Sequence, residues 1–190
     1  MNYYLGVDLG QSNDYTALVV VDQSGEEYHV RRAERLPLET SYPGVVERVD
    51  QYMSHPELRG KTTVVVDETG VGKPVTDMLK EARISPLRRV TITGGTDVNR
   101  DGTSYRVPKR DLASTVQALL QSGRLKLAAE MEHLDTLVGE LQGFKAKIDT
   151  STGHDTYEHR QGEHDDLVLA LAMALWYAEH GRAKPRVTLV

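Results

Sequence analysis

The sequence contains no cysteine and no hydrophobic run long enough to cross a membrane. Without cysteine, disulfides, thiolate metal sites and cysteine nucleophiles are excluded, so any metal must be held by oxygen or imidazole ligands. The longest apolar run, residues 167–178, is shorter than the roughly 20 residues of a spanning helix. Residues 1–10 show no basic stretch followed by an apolar one, so we expect no membrane contact and a location in the cytoplasm.

Positive charge is also scarce. The chain has 23 basic and 28 acidic residues, a formal charge of −5, which is not the balance of a domain that grips DNA by bulk electrostatics. Bound divalent cations would offset part of this negative charge, and a partner domain could increase the affinity for DNA. The length of 190 residues and the 39% hydrophobic share favour one globular domain over residues 1–190, with a flexible tail at 183–190.

The residue patterns predict an α/β fold. Residues 3–9, 16–22 and 27–36 are rich in β-formers separated by turns, which indicates three antiparallel strands. The patterns that follow predict helix 43–53, strand 62–66, helix 71–82, strand 88–93, helix 108–122, helix 130–141, a hairpin or mobile loop over 144–160, and helix 164–180. We therefore expect a mixed sheet, with three antiparallel strands and then parallel ones, covered by helices on both faces.

Two buried strands each end in an aspartate. Asp8 interrupts an apolar first strand, and Asp67 ends the run of valines before it, at the sheet end where open α/β folds place ligands. Each alone has a structural explanation, a turn cap for Asp8 and a helix cap for Asp67. Glu68 follows Asp67 and should face the other side of the sheet, so we expect Asp67 to be the functional carboxylate.

A third acidic group, Asp165 and Asp166, stands directly before the most apolar helix of the chain. Helix capping accounts for one of the two aspartates but not for their coincidence with Asp8 and Asp67. If the elements pack as expected, these four carboxylates converge and would repel each other unless cations lie between them. Oxygen ligands suit Mg²⁺ or Mn²⁺, and two such ions hydrolyse phosphodiesters. His164 either joins this site or is an exposed helix-start histidine.

Four motifs resemble the C-terminal nuclease domain of the large terminase subunit of tailed bacteriophages. They are Gly-Val-Asp-Leu-Gly around Asp8, Val-Asp-Glu-Thr-Gly-Val-Gly over 66–72, Val-Pro-Lys-Arg-Asp-Leu from Val107, and Gly-Glu-His-Asp-Asp-Leu from Gly162. The resemblance implies a ribonuclease H-like, resolvase-like fold and a nuclease activity that cuts concatemeric double-stranded viral DNA during packaging. It also implies that Asp8, Asp67, Asp165 and Asp166 are the catalytic metal ligands.

The resemblance further implies partners. Such subunits carry an N-terminal packaging ATPase and work with a small terminase subunit and a portal. No phosphate-binding loop is visible here: in the nearest string, residues 70–74, Pro74 replaces the Ser or Thr that follows the lysine. We therefore expect a nuclease domain without its motor.

DNA contact would come from scattered cations. The candidates are Arg88, Arg89, Arg100, Lys109, Arg110, Lys145, Lys147 and Arg160. Binding through such residues reads the phosphate backbone rather than the bases, so little sequence preference is expected.

Three alternatives remain open from the sequence. A Holliday-junction resolvase or a transposase-like nuclease would use the same carboxylates. An actin-like sugar kinase or ATPase fragment would use residues 8–12 as part of a phosphate-binding hairpin, although its two large lobes need a longer chain. A noncatalytic scaffold would keep the acidic cluster only as a structural metal site.

Overall fold

One eight-stranded sheet forms the centre of the computed structural model, which describes residues 1–10, 14–70, 72–149 and 164–181. The strand order is β6-β7-β5-β4-β1-β2-β3-β8. The strands are β1 Asn2–Asp8, β2 Ala17–Ser24, β3 Glu27–Arg35, β4 Thr62–Asp67, β5 Leu87–Thr93, β6 Asn99–Asp101, β7 Ser104–Pro108 and β8 Leu125–Leu127.

The first three strands form an antiparallel meander, as predicted. Beyond β1 the sheet continues with β4, β5 and β7, which all run parallel to β1. Strand β6 pairs antiparallel with β7 at one edge, and β8 pairs parallel with β3 at the other. The predicted mixed sheet with helices on both faces is confirmed.

The helices divide between the two faces of the sheet. They are α1 Tyr42–Ser54, α2 Gly72–Glu81, α3 Lys109–Gln121, α4 Leu134–Asp149 and α5 Asp166–Trp176, and a π-helical turn, Tyr177–Gly181, extends α5. One hydrophobic core joins α3, α4 and α5 to the sheet, and a second core joins α1 and α2 to the opposite face. In the described residues no helix has both the length and the apolar character needed to cross a membrane.

Three strands and one helix differ from the sequence prediction. Strands β6, β7 and β8 were not predicted; β6 and β8 have three residues each, too few for a recognisable alternation. The prediction of a hairpin or loop over 144–160 is wrong for 144–149, because Phe144 continues the apolar stripe of Leu137 and Leu141 and the helix runs to Asp149. Residues 150–160 and the tail predicted at 183–190 lie outside the described part of the chain.

Helix α5 is almost entirely buried because it lies directly on β1 and β2. Gly6 of β1 makes this close approach possible: a Cβ atom there would lie 1.9 Å from the carbonyl oxygen of Ala170 and 3.2 Å from the Cβ of Ala174. The absence of a side chain at Gly6 therefore sets the distance between α5 and the sheet.

Replacing Gly6 with alanine is expected to push α5 away from the sheet and to lower the free energy of unfolding by about 1–3 kcal/mol, the usual cost of overpacking a core. Urea unfolding measures the change. Gly143→Ala is the matched control, because no atom lies within 4 Å of the added carbon in α4. Equal stability of the two variants would contradict the proposed role of Gly6.

Candidate metal centre

Asp8 and Asp67 end two adjacent parallel strands on the same face of the sheet. The register pairs Val7 of β1 with Val66 of β4, so the two aspartates follow side by side. Side chains two residues apart share a face. Gly6 lies under α5 and Val65 belongs to the core on the α5 side, so both aspartates point toward α5.

The N-terminus of α5 brings Asp165 and Asp166 to the same place. Burial raises the pKa of Asp8 well above its usual range, and the charges of Asp67, Asp165 and Asp166 raise it further. Burial also raises the pKa of Asp67, although hydrogen bonds from Thr69 and Asp8 oppose this shift. The structure thus brings together the four aspartates selected from the sequence, and their role as metal ligands stays a prediction.

Two cationic side chains hold the helix-start aspartates. Arg35, at the end of β3, donates from Nε and Nη2 to the two carboxylate oxygens of Asp166 at 2.8 and 2.7 Å. Lys109, at the start of α3, places its Nζ 3.0 Å from Oδ2 of Asp165. Asp166 is therefore fixed in a bidentate pair, whereas the ammonium group of Lys109 meets Asp165 as a point charge.

Glu140 of α4 does the capping that the sequence assigned to an aspartate. Its Oε2 accepts from the backbone N–H of Val168 in the first turn of α5 at 2.8 Å, whereas Asp165, the N-cap residue, makes no side-chain capping bond. The Nη2 of Arg35 lies 2.5 Å from Oε1 of Glu140. Burial, the largest cause, together with Asp166 raises the pKa of Glu140 to about 7, against the opposing effect of Arg35. Capping thus accounts for neither helix-start aspartate; each is paired instead with a cation, Asp166 with Arg35 and Asp165 with Lys109.

The sequence reasoning missed Arg35, Glu140 and Tyr15, whose ring lies under the Arg35 guanidinium at 4.9 Å. One signal existed for Glu140. It lies three residues after Leu137 and one before Leu141, within the apolar stripe of α4, where a carboxylate needs a buried partner. For Arg35 the sequence offers no comparable signal, because its partner lies 131 positions away.

Glu68 and His164 lie at the margin of the cluster. Glu68 accepts from the hydroxyl of Thr76 in α2 at 2.8 Å and pairs with Arg89 at 3.2 Å, so its partners differ from those of Asp67, as strand alternation predicts. His164 is exposed and packs edge to face against Tyr15, with ring centroids 5.4 Å apart.

The candidate DNA contacts do not form one patch. Lys109 and Arg110 begin α3 at the acidic end of the sheet, and Arg110 donates to the carbonyl oxygen of Thr96. Arg88 instead bonds Tyr177 at the far end of α5, and Arg89 bonds Glu68. Arg88 is the second residue of β5, so it lies toward the amino end of that strand, whereas Asp8 and Asp67 lie at the carboxyl ends of β1 and β4. Arg100 lies on the edge strand β6, Lys145 and Lys147 on α4, and Arg160 outside the described residues.

The donor set fits a hard divalent cation. Two cationic side chains, Arg35 and Lys109, lie among five carboxylates: Asp8, Asp67, Glu140, Asp165 and Asp166. Carboxylate oxygens are the ligands that hard divalent cations prefer. Within residues 1–10, 14–70, 72–149 and 164–181, no three carboxylates or imidazoles surround a common point at ion-binding distance. Two of the aspartates are directed instead at Lys109 and Arg35.

An antiparallel meander extended by parallel strands, with carboxylates at the ends of β1 and β4 and at the start of the helix that crosses them, defines the ribonuclease H-like class. Within this class the match is specific. The chain belongs to the family described as the terminase RNase H-like domain, which matches residues 5–178. Family membership supports a terminase-type nuclease role. It gives no support to an actin-like kinase or ATPase fragment.

Solved structures of terminase nucleases share the fold. The large terminase nuclease from the thermophilic phage G20c is 21% identical, with a TM-score of 0.61, over 94% of this chain and 82% of that one. A human cytomegalovirus terminase nuclease domain, Mn-soaked and inhibitor-bound, is 14% identical, with a TM-score of 0.60, over 92% and 82%.

The large terminase from a second thermophilic bacteriophage is 13% identical, with a TM-score of 0.62. The match covers 93% of this chain but 39% of that longer protein. No curated protein matches the sequence.

Proposed function

We propose that the chain is a divalent-metal-dependent endonuclease that cuts double-stranded concatemeric viral DNA during genome packaging, with little sequence preference. The observation that carries the proposal is the meeting of Asp8, Asp67 and the Asp165–Asp166 pair on one face of the sheet. Terminase family membership and the manganese-soaked cytomegalovirus nuclease domain support it.

The residues divide the work by their surroundings. Asp8, Asp67, Asp165 and Asp166 are the side chains that would hold Mg²⁺ or Mn²⁺, two ions in our proposal; of these four, Asp166 is paired with Arg35. Such ions supply a water activated at neutral pH and stabilise the leaving oxygen of a phosphodiester. Arg35 and Glu140 hold the start of α5 in place, so that Asp165 keeps its position relative to β1 and β4.

The partners follow from the proposed role. Double-stranded DNA would contact the acidic end of the sheet through Lys109 and Arg110. Arg100, Lys145 and Lys147 would make further contacts to the phosphate backbone of the DNA. Because the match covers 39% of the longer phage large terminase, a packaging ATPase domain would act with this nuclease, together with a small terminase subunit and a portal in the host cytoplasm.

A cleavage assay tests the proposal. Supercoiled plasmid incubated with the chain and Mn²⁺ or Mg²⁺ is expected to become nicked and linear, with fragment ends at many sequences, and EDTA is expected to abolish cleavage. A four-way junction of the same sequence runs in parallel: a strong preference for it would favour the resolvase alternative. Plasmid that stays intact at high protein and Mn²⁺ concentrations would contradict the proposal, and a rise in melting temperature with Mg²⁺ in that case would indicate a structural metal site.

A further inference from the structure

Lys109, like Arg35, contacts the carboxylate cluster. It is the first residue of α3 and follows β7, which is parallel to β5. The carboxyl end of β7 therefore lies at the same end of the sheet as Asp8 and Asp67. The Lys109 side chain is 20% exposed, and its partner Asp165 is 15% exposed, so the pair is partly sheltered from solvent screening.

The charge of Lys109 also reaches Asp8 at the end of β1. It opposes the other neighbours of Asp8 by lowering the pKa of that carboxyl group. The ammonium thus lies among acidic groups on two different elements. A cation that binds between Asp8, Asp67 and Asp165 has to displace this ammonium or share Asp165 with it.

The two cations of the cluster differ in the chemistry of their side chains. Arg35 binds Asp166 through two hydrogen bonds, also contacts Glu140, and stacks on Tyr15. Lys109 has a flexible four-carbon stem, a compact charge, and a side chain that passes the Phe144 ring with Nζ 5.9 Å from the centroid. The contacts of Arg35 fix its guanidinium group, whereas rotation of the Lys109 side chain can bring its ammonium group to another acceptor.

We propose that Lys109 is an exchangeable counter-charge of the metal centre: its ammonium holds Asp165 until a divalent ion binds, and then contacts the DNA phosphate that is cut. This role rests on the proposed nuclease function. A lysine suits a phosphate as a point charge, and its anchor at the start of α3 keeps the displaced ammonium close to the cluster. The consequence is a pair of opposite effects: loss of Lys109 strengthens metal binding and weakens cleavage.

Calorimetric titration of the full chain with Mn²⁺ tests the first effect. Lys109→Met keeps the length and apolar stem of the side chain but removes the charge. We expect this variant to bind Mn²⁺ about fivefold or more tightly than the wild type, because a unit charge a few Å from a ligand is lost. Plasmid cleavage at saturating Mn²⁺ is expected to fall about 10²-fold, the cost of losing one charged contact to the reacting group.

Two variants serve as controls. Arg110→Ala removes the same charge one residue later, from a side chain that is 57% exposed, and is expected to change the Mn²⁺ affinity by less than about twofold because solvent screens it. Lys109→Arg keeps the charge and is expected to bind Mn²⁺ much as the wild type does. If Lys109→Met shows no cooperative melting, Lys109→Gln takes its place.

The outcomes separate this inference from the function on which it rests. A wild-type chain that binds no Mn²⁺ overturns the proposed nuclease and the role of Lys109 together. A wild-type chain that binds Mn²⁺ and cuts DNA, with a neutral variant at position 109 that binds Mn²⁺ no more tightly, overturns the role of Lys109 alone. Tighter Mn²⁺ binding with unchanged cleavage overturns the phosphate contact.

Discussion

Replacing Asp8 with asparagine is expected to lower DNA cleavage by roughly 10³-fold, equivalent to about 4 kcal/mol of transition-state stabilisation. The charges of Asp67, Asp165 and Asp166 all act on Asp8, so its loss removes a carboxylate that faces acidic groups on two other elements. In EDTA the same substitution is expected to maintain or raise the melting temperature, because it removes one negative charge from a crowded, buried cluster. Cleavage assays and melting curves with and without Mg²⁺ measure the two effects.

Glu68, the residue that follows β4, provides the matched control for Asp67, the last residue of that strand. Asp67→Asn is expected to match Asp8→Asn, whereas Glu68→Gln is expected to keep most of the cleavage activity, because Glu68 contacts Thr76 and Arg89 instead. Both substitutions replace one acid by its amide at neighbouring positions. Equal losses at 67 and 68, or full activity of Asp8→Asn, would contradict the assignment of the site.

The meeting of Asp8 and Asp67 was predictable from local rules. The apolar run of each strand indicated burial on both faces, and parallel neighbours place their carboxyl ends at the same edge. Alternation along the strand then separated Asp67 from Glu68. These inferences hold because strand geometry depends on nearest neighbours and on a two-residue period, both of which are visible in one sequence.

The supports of the site were not predictable in the same way. Arg35 and Glu140 are partners of a helix start far along the chain, and their choice depends on how α4 and α5 pack against β3. The sequence suggested that an aspartate caps α5, whereas a side chain from another helix does so. Such contacts depend on tertiary packing rather than on local pattern, as do the three-residue strands β6 and β8.

Arg35→Met is expected to lower the free energy of unfolding by about 3–5 kcal/mol, the usual result of removing one partner from a buried ion pair. Arg35 is the cationic partner of both Asp166 and Glu140, whose side chains are 7% and 6% exposed. Methionine keeps much of the apolar volume but leaves the carboxylates without compensation. Urea unfolding in EDTA measures the loss, and a variant as stable as the wild type would show that the network does not hold α5.

The pH dependence of this loss identifies its electrostatic origin. The pKa of Glu140 is about 7 in the presence of Arg35, which lowers it, so removal of Arg35 raises it further above the unfolded value near about 4.3. A folded-state pKa above the unfolded one means that stability is complete below the unfolded pKa and is lost as pH rises through the folded one. The deficit of Arg35→Met is therefore expected to be larger at about pH 8 than at about pH 5. Adding Glu140→Gln should recover part of it at the higher pH, because the amide still accepts from Val168 without a buried charge. A deficit that is independent of pH and unchanged by Glu140→Gln would assign the loss to packing instead.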